Sequence, residues 1–437
     1  VPERWRVRRV GGFKLVVLLS ALAVAGAACG SHGNSPSKSS HPVLGQPKGT
    51  PLVVGQPAPA GTGELGAVSC PTAKRCWAVG IAGPNSSAAA PATVIIATKD
   101  GGLKWAAQGV SGSAIPQLSG ISCPTIHDCM AVGSTGASLP GSDVAYATSD
   151  GGTMWSPVAA LPGALNMPSV QCASVSDCTA IVSTGSLLAA AHTADFGQTW
   201  QTESNLPAGF FGDGDLSCDL AGTCLVAGYT PTTTGHGQGA IALSTDSGQT
   251  WALATVPAGV GVLRSAACAT ATVCLAAGTT GTIVSYVVPA QGQLLYSADG
   301  GHTWTTTPSG AAAAGTAASA GNTGSAGSTT TSASTTTTTS TPATAPKPLP
   351  VDDVFGIACP STRVCAIVGT KWSGQPAVAT GAVAESRNGG STFAAASAAY
   401  IPLALSALSC PTASRCIAVG GDTVAQVTLL QPTPVRR

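Results

Sequence analysis

The string Cys123-Pro124-Thr125-Ile126-His127-Asp128-Cys129-Met130-Ala131-Val132-Gly133, followed by Thr148-Ser149-Asp150-Gly151-Gly152-Thr153-Met154-Trp155, decides the fold. Its first half is one of seven C-x5-C pairs. These are Cys70 with Cys76, Cys123 with Cys129, Cys172 with Cys178, Cys218 with Cys224, Cys268 with Cys274, Cys359 with Cys365, and Cys410 with Cys416. The fullest copies, at Cys70, Cys123 and Cys410, read S-C-P-T-x-x-x-C-x-A-V-G. Successive first cysteines lie 53, 49, 46, 50, 91 and 51 residues apart, and the long interval contains a low-complexity stretch. Without it the period returns to about 50 residues, as expected of a propeller or solenoid.

Two chemistries use paired cysteines. Zinc sites favour two to four intervening residues and nearby His or Cys, whereas the spacing here is five and the six His do not recur with the pairs. Disulfides in an oxidising compartment are the better reading. The turn after the first Cys lets the two face each other across a hairpin, and closing so short a loop contributes about 2 kcal/mol in the chain-entropy account.

The second half recurs as Thr98…Asp100…Trp105, Thr148…Asp150…Trp155, Thr193…Asp195…Trp200, Ser244…Asp246…Trp251 and Ser297…Asp299…Trp304. A degenerate sixth copy is Ser386…Asn388…Phe393. An Asp carboxylate in such a turn accepts bonds from its own backbone, and the Gly tolerates positive φ. The Trp then opens the next strand and buries its ring. These carboxylates therefore read as structural staples. Each unit divides into four short strands; in the second they are Leu118–Cys123, Cys129–Gly133, Asp143–Thr148 and about Met154–Val158. Four antiparallel strands at this period make a propeller blade. The seventh unit lacks the second string, and residues near Thr50–Val54 are expected to supply its fourth strand and close the ring. A six-bladed ring with a stray hairpin is the alternative.

The string resembles the Asp-box, or bacterial neuraminidase repeat, S/T-x-D-x-G-x-T-W, over about residues 65–430. That resemblance implies an all-β, seven-bladed propeller of four-stranded antiparallel blades, here with one C-x5-C hairpin per blade. Sialidases share the repeat, and their pattern needs three clamping Arg. Arg75, Arg363 and Arg415 lie in Cys hairpins and Arg387 in an Asp-box, which leaves only Arg264 near a strand entrance. Sialidase activity is therefore not expected. Similar propellers occur in photosystem II assembly factors and sortilin-type receptors, which bind proteins without catalysis. The assembly factors present an Arg patch and lack a Cys pair per blade, so their specific role does not carry over.

Composition narrows function further. Only 8% of the 437 residues are charged, the net charge is +1 and aromatics make up 4%. No basic field or stacking groove for nucleic acid follows from that. Arg4, Arg6, Arg8, Arg9 and Lys14 precede an apolar run from Leu15 to Ala28, the pattern of a signal peptide over residues 1–28. Ala25-Gly26-Ala27-Ala28-Cys29 resembles a bacterial lipobox, with Gly26 where Leu is usual. This implies lipidation at Cys29, the one cysteine left over from the pairs; conventional cleavage after small residues is the alternative. Residues 1–28 carry five of the 19 Lys and Arg and one of the 18 Asp and Glu, leaving the remainder near −3.

Residues 29–49 read as a lipidated flexible tether reaching roughly 25 Å. The propeller is expected over 50–430, with a disordered Ala/Ser/Thr-rich insertion at 309–349 and a tail at 431–437. The Cys turns and Asp-box turns should share one face, leaving the other to the variable loops where recognition usually sits. Candidate ligand-binding carboxylates on that variable face are Glu64, Asp213, Asp215, Asp352 and Asp353. Phe210, Phe211, Tyr229, Trp372 and His236 are candidates for a sugar-stacking patch. Asp213-Gly-Asp215 is too short for a calcium loop, and no metal or cofactor is expected. The expectation is a monomeric, non-catalytic, membrane-tethered binding or scaffolding module for a protein or glycan ligand. An extracellular glycoside hydrolase, working through two such carboxylates, or a carbohydrate-binding protein is the runner-up.

Overall fold

A computed structural model describes residues 51–430 except 84–92, 111–116, 136–141, 186, 213–214, 220–221, 233–236, 281–290, 307–347, 375–377, 400 and 402. The signal segment, Cys29 and its tether, the tail and nearly all of the insertion therefore lie outside the described residues. Every sheet, disulfide and core cluster belongs to the unit Gln46–Arg437. That unit is a seven-bladed propeller.

Blade 2 shows the pattern: strands Gln117–Ser122, Cys129–Ser134, Asp143–Thr148 and Ser156–Pro157 pair antiparallel in sequence order. Blades 1, 3, 4 and 6 repeat it. In blade 5 the fourth position is held by a single bridge, Tyr296 to Thr305. First strands contact first strands from blade to blade and back again, so they form the wall of a central channel.

All seven expected disulfides form, each linking the end of a first strand to the start of the second. Cys70 bonds Cys76, Cys123 bonds Cys129, Cys172 bonds Cys178 and Cys218 bonds Cys224. Cys268 bonds Cys274, Cys359 bonds Cys365 and Cys410 bonds Cys416. The two members of a pair differ in surroundings. The second ones, Cys76, Cys129, Cys178, Cys224, Cys274, Cys365 and Cys416, are all fully buried and join the inter-blade clusters. Among the first ones, Cys172, Cys218, Cys268, Cys359 and Cys410 are only partly buried. Each bond therefore pins a turn at the disulfide face to the packed interior.

The residue before the first Cys has a role that the pair spacing does not announce. Ser409, Ser69 and Ser122 accept hydrogen bonds from the N–H of Cys70, Cys123 and Cys172 in the next blade, at 3.1, 3.0 and 2.9 Å. Gln171 does the same for Cys218, accepting from its N–H and donating to its carbonyl, both at 2.8 Å. Four junctions of the inner ring are thus tied by side chain to backbone.

The Gly that ends C-x-A-V-G is explained by close approach. A Cβ at Gly80 would run into the carbonyl oxygen of Glu64, and one at Gly133 into that of Gln117. At each place the first strand bulges, between Leu65 and Ala67 and between Leu118 and Gly120, pushing its backbone onto the second strand.

The recurring acidic turns act as staples. In blade 1 the Thr98 hydroxyl donates to Asp100 at 2.8 Å and accepts from the N–H of Gly102 at 3.0 Å, while Asp100 accepts from the N–H of Lys104 at 2.9 Å. The same bonds recur around Asp150, Asp195, Asp246, Asp299 and Asn388. Each turn also donates a backbone N–H to the Cys turn of its own blade, as Gly101 does to Lys74 and Gly151 to His127. The two kinds of turn therefore share one face.

The aromatic residue closing each turn sits between blades. Trp155 joins the cluster of blades 1 and 2, Trp200 that of 2 and 3, and Trp251 that of 3 and 4. Trp304, Phe393 and Trp105 do the same at the junctions 4–5, 5–6 and 7–1. The sixth-to-seventh junction receives no such ring. Val53 enters that cluster instead, and a buried Glu385–Arg387 ion pair lies beside it. Burial pushes the Glu385 carboxyl up, and Arg387 and the N–H of Leu430 pull it back.

Val53 lies on Leu52–Pro57, which pairs antiparallel with Thr423–Thr428 over all six residues and completes blade 7. This is the expected closure, and it removes the six-bladed alternative. The short strand Ser397–Ala399 then pairs parallel with Leu52–Val54, adding an outer fifth strand that the sequence did not suggest.

Two outcomes follow. Gly133→Ala should destabilise the ring by about 3 kcal/mol or more, whereas Gly109→Ala, with open space around it, should shift it by less than about 0.5 kcal/mol; urea unfolding distinguishes them. Acid should weaken the staples. Burial alone would raise Asp299, but hydrogen bonds from Thr303 and Ser297 and the charge of His302 hold it at about 2. The N–H of Lys104 lowers Asp100, and the Thr199 hydroxyl lowers Asp195. Carboxyls depressed in the folded state stabilise it fully above their unfolded value of 3.8 and lose that contribution as pH falls through the folded values. The melting temperature should accordingly fall between about pH 4 and pH 2, and less steeply in Asp299→Asn.

Candidate functional site

The channel mouth opposite the disulfides is where the candidate residues converge. First strands start there and end at their cysteines, so residues a few positions before each Cys ring the mouth. The channel encloses about 720 Å³, and its wall draws on all seven blades. Ser119, Ser169, Ser217, Ser265 and Ser406 supply hydroxyls, and Gln117 and Asn166 supply amides. The wall is a ring of neutral donors and acceptors with few charges. Of the paired cysteines only Cys172 touches it; Cys76, Cys178, Cys224, Cys274, Cys365 and Cys416 lie away from it, with Cys129, in the core. Their part is structural.

The charges in the wall are Glu64, Asp215 and Arg264. Glu64 is exposed on blade 1, with no side-chain partner among the described residues. Asp215 stands three residues before Cys218, level with Ser169 and Ser265 of the adjoining blades. Arg264 of blade 5 reaches toward blade 6: its Nε lies 3.5 Å from Asp353, and its guanidinium carbon 4.9 Å from the centre of the Phe355 ring. Both ends of this contact are mostly buried, so solvent screens it less than a rim pair. An Arg over an aromatic face also gains cation–π attraction.

Asp352 turns away from the channel wall. One oxygen accepts from Lys371 at 2.6 Å and the other from the N–H of Trp372 at 2.9 Å. The neighbours Asp352 and Asp353 thus serve separate contacts, and Asp353 is tied to a cation. Asp213 and His236 lie outside the described residues. Among the described residues, no group of three or more His, Cys, Asp or Glu is arranged to hold a metal ion, and no helix is long and apolar enough to cross a membrane.

The expected aromatic patch divides. Phe210 is buried in the core between blades 3 and 4, so it is no part of any surface. Phe211 is exposed and stacks on Tyr229, with ring centres 5.8 Å apart at 20°. Reciprocal backbone bonds between these two residues at 2.8 and 2.7 Å fix the pair. Trp372 is half-buried on blade 6.

Sequence reading missed the Arg264–Asp353–Phe355 contact. Its signal lies in blade alignment: Arg264 and Phe355 both stand four residues before their first Cys, where other blades carry Gly66, Ser119 and Ser406. Two large residues at neighbouring copies of a small-residue position must meet at the channel.

No protein-family model matches the chain, and no curated protein sequence matches it. Solved structures do. A YCF48 propeller bound to a D1 peptide matches with TM-score 0.52 and 13% identity, over 86% of this chain and 97% of that one. YCF48 from Cyanidioschyzon merolae matches with TM-score 0.50 and 14% identity, over 86% and 98%. A GH74 xyloglucanase from Xanthomonas campestris matches over 56% of this chain and 38% of its own, with 16% identity; its TM-score of 0.39 carries no functional weight. At these identities the likeness is one of fold alone, a β-propeller.

Proposed function

We propose that this chain is a non-catalytic binding or scaffolding propeller, held outside the bacterial cytoplasm by a lipid on Cys29, that captures a protein segment at the channel mouth. The observation that carries the reading is the mouth itself: a ring of hydroxyl and amide groups with Glu64, Asp215 and Arg264 set into it. Such a ring offers hydrogen bonds to an extended backbone and charge contacts to its side chains, as a peptide-binding surface requires. Asp353, the carboxylate in register with Glu64, is engaged by Arg264, which suits positioning better than proton transfer. The related propeller that binds a D1 peptide supports peptide capture as a use of this fold. Seven disulfides fit an oxidising compartment.

One feature favours a glycan ligand instead. Phe211, exposed and stacked on the half-buried Tyr229, offers an apolar platform for a sugar ring.

Binding and anchoring are tested separately. In a peptide array, Arg264→Glu should weaken the captured sequences about tenfold or more, with the melting temperature showing that the ring persists. Release of reducing sugar from a polysaccharide panel, abolished in Glu64→Ala, Asp213→Ala, Asp215→Ala or Asp353→Ala, would replace this reading with the hydrolase. For the anchor, cells fed labelled palmitate should label the chain, and Cys29→Ser should remove the label; label retained in Cys29→Ser, or absent from the unaltered chain, would refute lipidation.

A further inference from the structure

Two of the six acidic turns break their own rule. In blades 3 to 5 the residue before the Trp is Thr199, Thr250 or Thr303, and its hydroxyl donates to the turn's Asp. Blade 6 keeps Thr392, bonded to Asn388. Blades 1 and 2 put Lys104 and Met154 there and forgo that bond. Blade 1 also sets Leu103 beside Lys104. Leu103 is 62% exposed and Met154 60%, among the most exposed large apolar side chains described. A local rule broken without a local gain marks a place shaped for another purpose.

Cations gather at the same corner. Arg363 of blade 6, Arg415 of blade 7, and Lys74, Arg75, Lys99 and Lys104 of blade 1 all stand on the disulfide face, in its Cys turns or acidic turns. None of the six forms an ion pair among the described residues. Arg415 lies over Gly101 of the next blade, and Arg75 reaches toward Gly151 of the one after. The matching turns of blades 3 to 5 carry Asp177, Asp195, Asp219, Asp246 and Asp299, and no Lys or Arg among the described residues. The turns of blades 1 and 2 also hold Asp100, Asp128 and Asp150, so the six cations leave that side net positive, whereas the side of blades 3 to 5 is net negative.

The polypeptide enters the ring at the positive side. Leu52 is in register with Thr428, and Thr428 with Arg415, so the first residue of the closing strand stands on the disulfide face two strands from that Arg. Leu52 is itself 51% exposed. The start of the closing strand therefore stands beside the basic side of the disulfide face.

We infer that the disulfide face of blades 6, 7, 1 and 2 docks on a lipid surface bearing anionic headgroups. Leu103 and Met154 enter the headgroup layer, and the surrounding cations meet the phosphates. The apolar tips favour lipid over a soluble polyanion, which would use the cations alone. The inference rests on the proposed anchor for how the protein reaches the membrane, and it deepens that reading, because a lipid chain and a basic patch together hold far better than either. It also leaves the channel mouth facing away from the bilayer.

The test is co-sedimentation of residues 46–437, which hold every sheet and disulfide, with vesicles of equimolar phosphatidylglycerol and phosphatidylcholine. Binding should exceed that to phosphatidylcholine alone and fall as salt rises. Lys74→Ala and Lys104→Ala should each lower partitioning about fivefold. Leu103→Ser, which leaves the charge unaltered, should weaken binding without changing its salt dependence. Met154→Thr restores the missing hydroxyl, so it should raise the melting temperature while weakening vesicle binding, a combination that a folding defect cannot produce. Equal binding to both vesicles, no binding, or full binding by Leu103→Ser would overturn the inference, the last by assigning the face to anions in general. Because this unit lacks Cys29, its result is independent of the palmitate experiment.

Discussion

Six residue pairs between Leu52–Pro57 and Thr423–Thr428 hold the two ends of the propeller together, and everything else depends on them. A propeller blade buries its faces only against its neighbours. An open arc would expose blade 1 and blade 7 along their whole height, and the channel would become a groove. The closing strand also carries Val53 into the junction that no turn aromatic reaches. One segment thus supplies both the backbone seam and the missing side-chain volume.

Around that seam the energetics are those of a protein with little charge to spend. The inter-blade clusters consist mainly of Val, Ala, Leu, Ile and the second cysteines, with a turn aromatic at six junctions, joined by Trp77 and Tyr146 between blades 1 and 2 and by Phe210 between blades 3 and 4. Fully burying each Trp or Leu contributes on the order of 2–3 kcal/mol, far more than any single surface ion pair. The Glu385–Arg387 pair is a different matter. Breaking a buried pair leaves an uncompensated charge, so it fixes how blades 6 and 7 fit rather than adding net stability.

Much of the fold was legible because the repeat is chemical as well as statistical. Cysteines at constant spacing, a Gly forced by a bulge and a Trp after a tight turn each mark one place in a blade, so seven copies read as seven blades. The fourth strand of blade 7 could be assigned from its absence at one end and a spare strand at the other. What could not be read lies across blades. Ser69, Ser122 and Ser409, each just before a first Cys, look like neutral polar residues until the next blade brings a Cys N–H to them. Spacing gives the partner of Cys76 or Cys224 but not that such second cysteines sink into the core while most first ones stay partly open. Arg264 and Phe355 are 91 positions apart in the sequence and meet only because the ring closes. The outer strand Ser397–Ala399 has no marker, since it is made of small residues in a connection. Distance to Cys puts Glu64, Asp215, Asp352 and Asp353 near the starts of first strands, but spacing cannot show that Asp352 and Asp353 take different partners.

The disulfides carry a further consequence for how the molecule is made. Fourteen cysteines could join in a vast number of ways, and reshuffling wrong pairs takes from seconds to hours. Here every partner is six residues away, within one hairpin. Loop closure on that scale is far faster than encounter between distant segments, so each crosslink can be completed as its hairpin emerges, before later blades exist. The seven crosslinks can therefore form hairpin by hairpin, in chain order, and need no template from the finished ring.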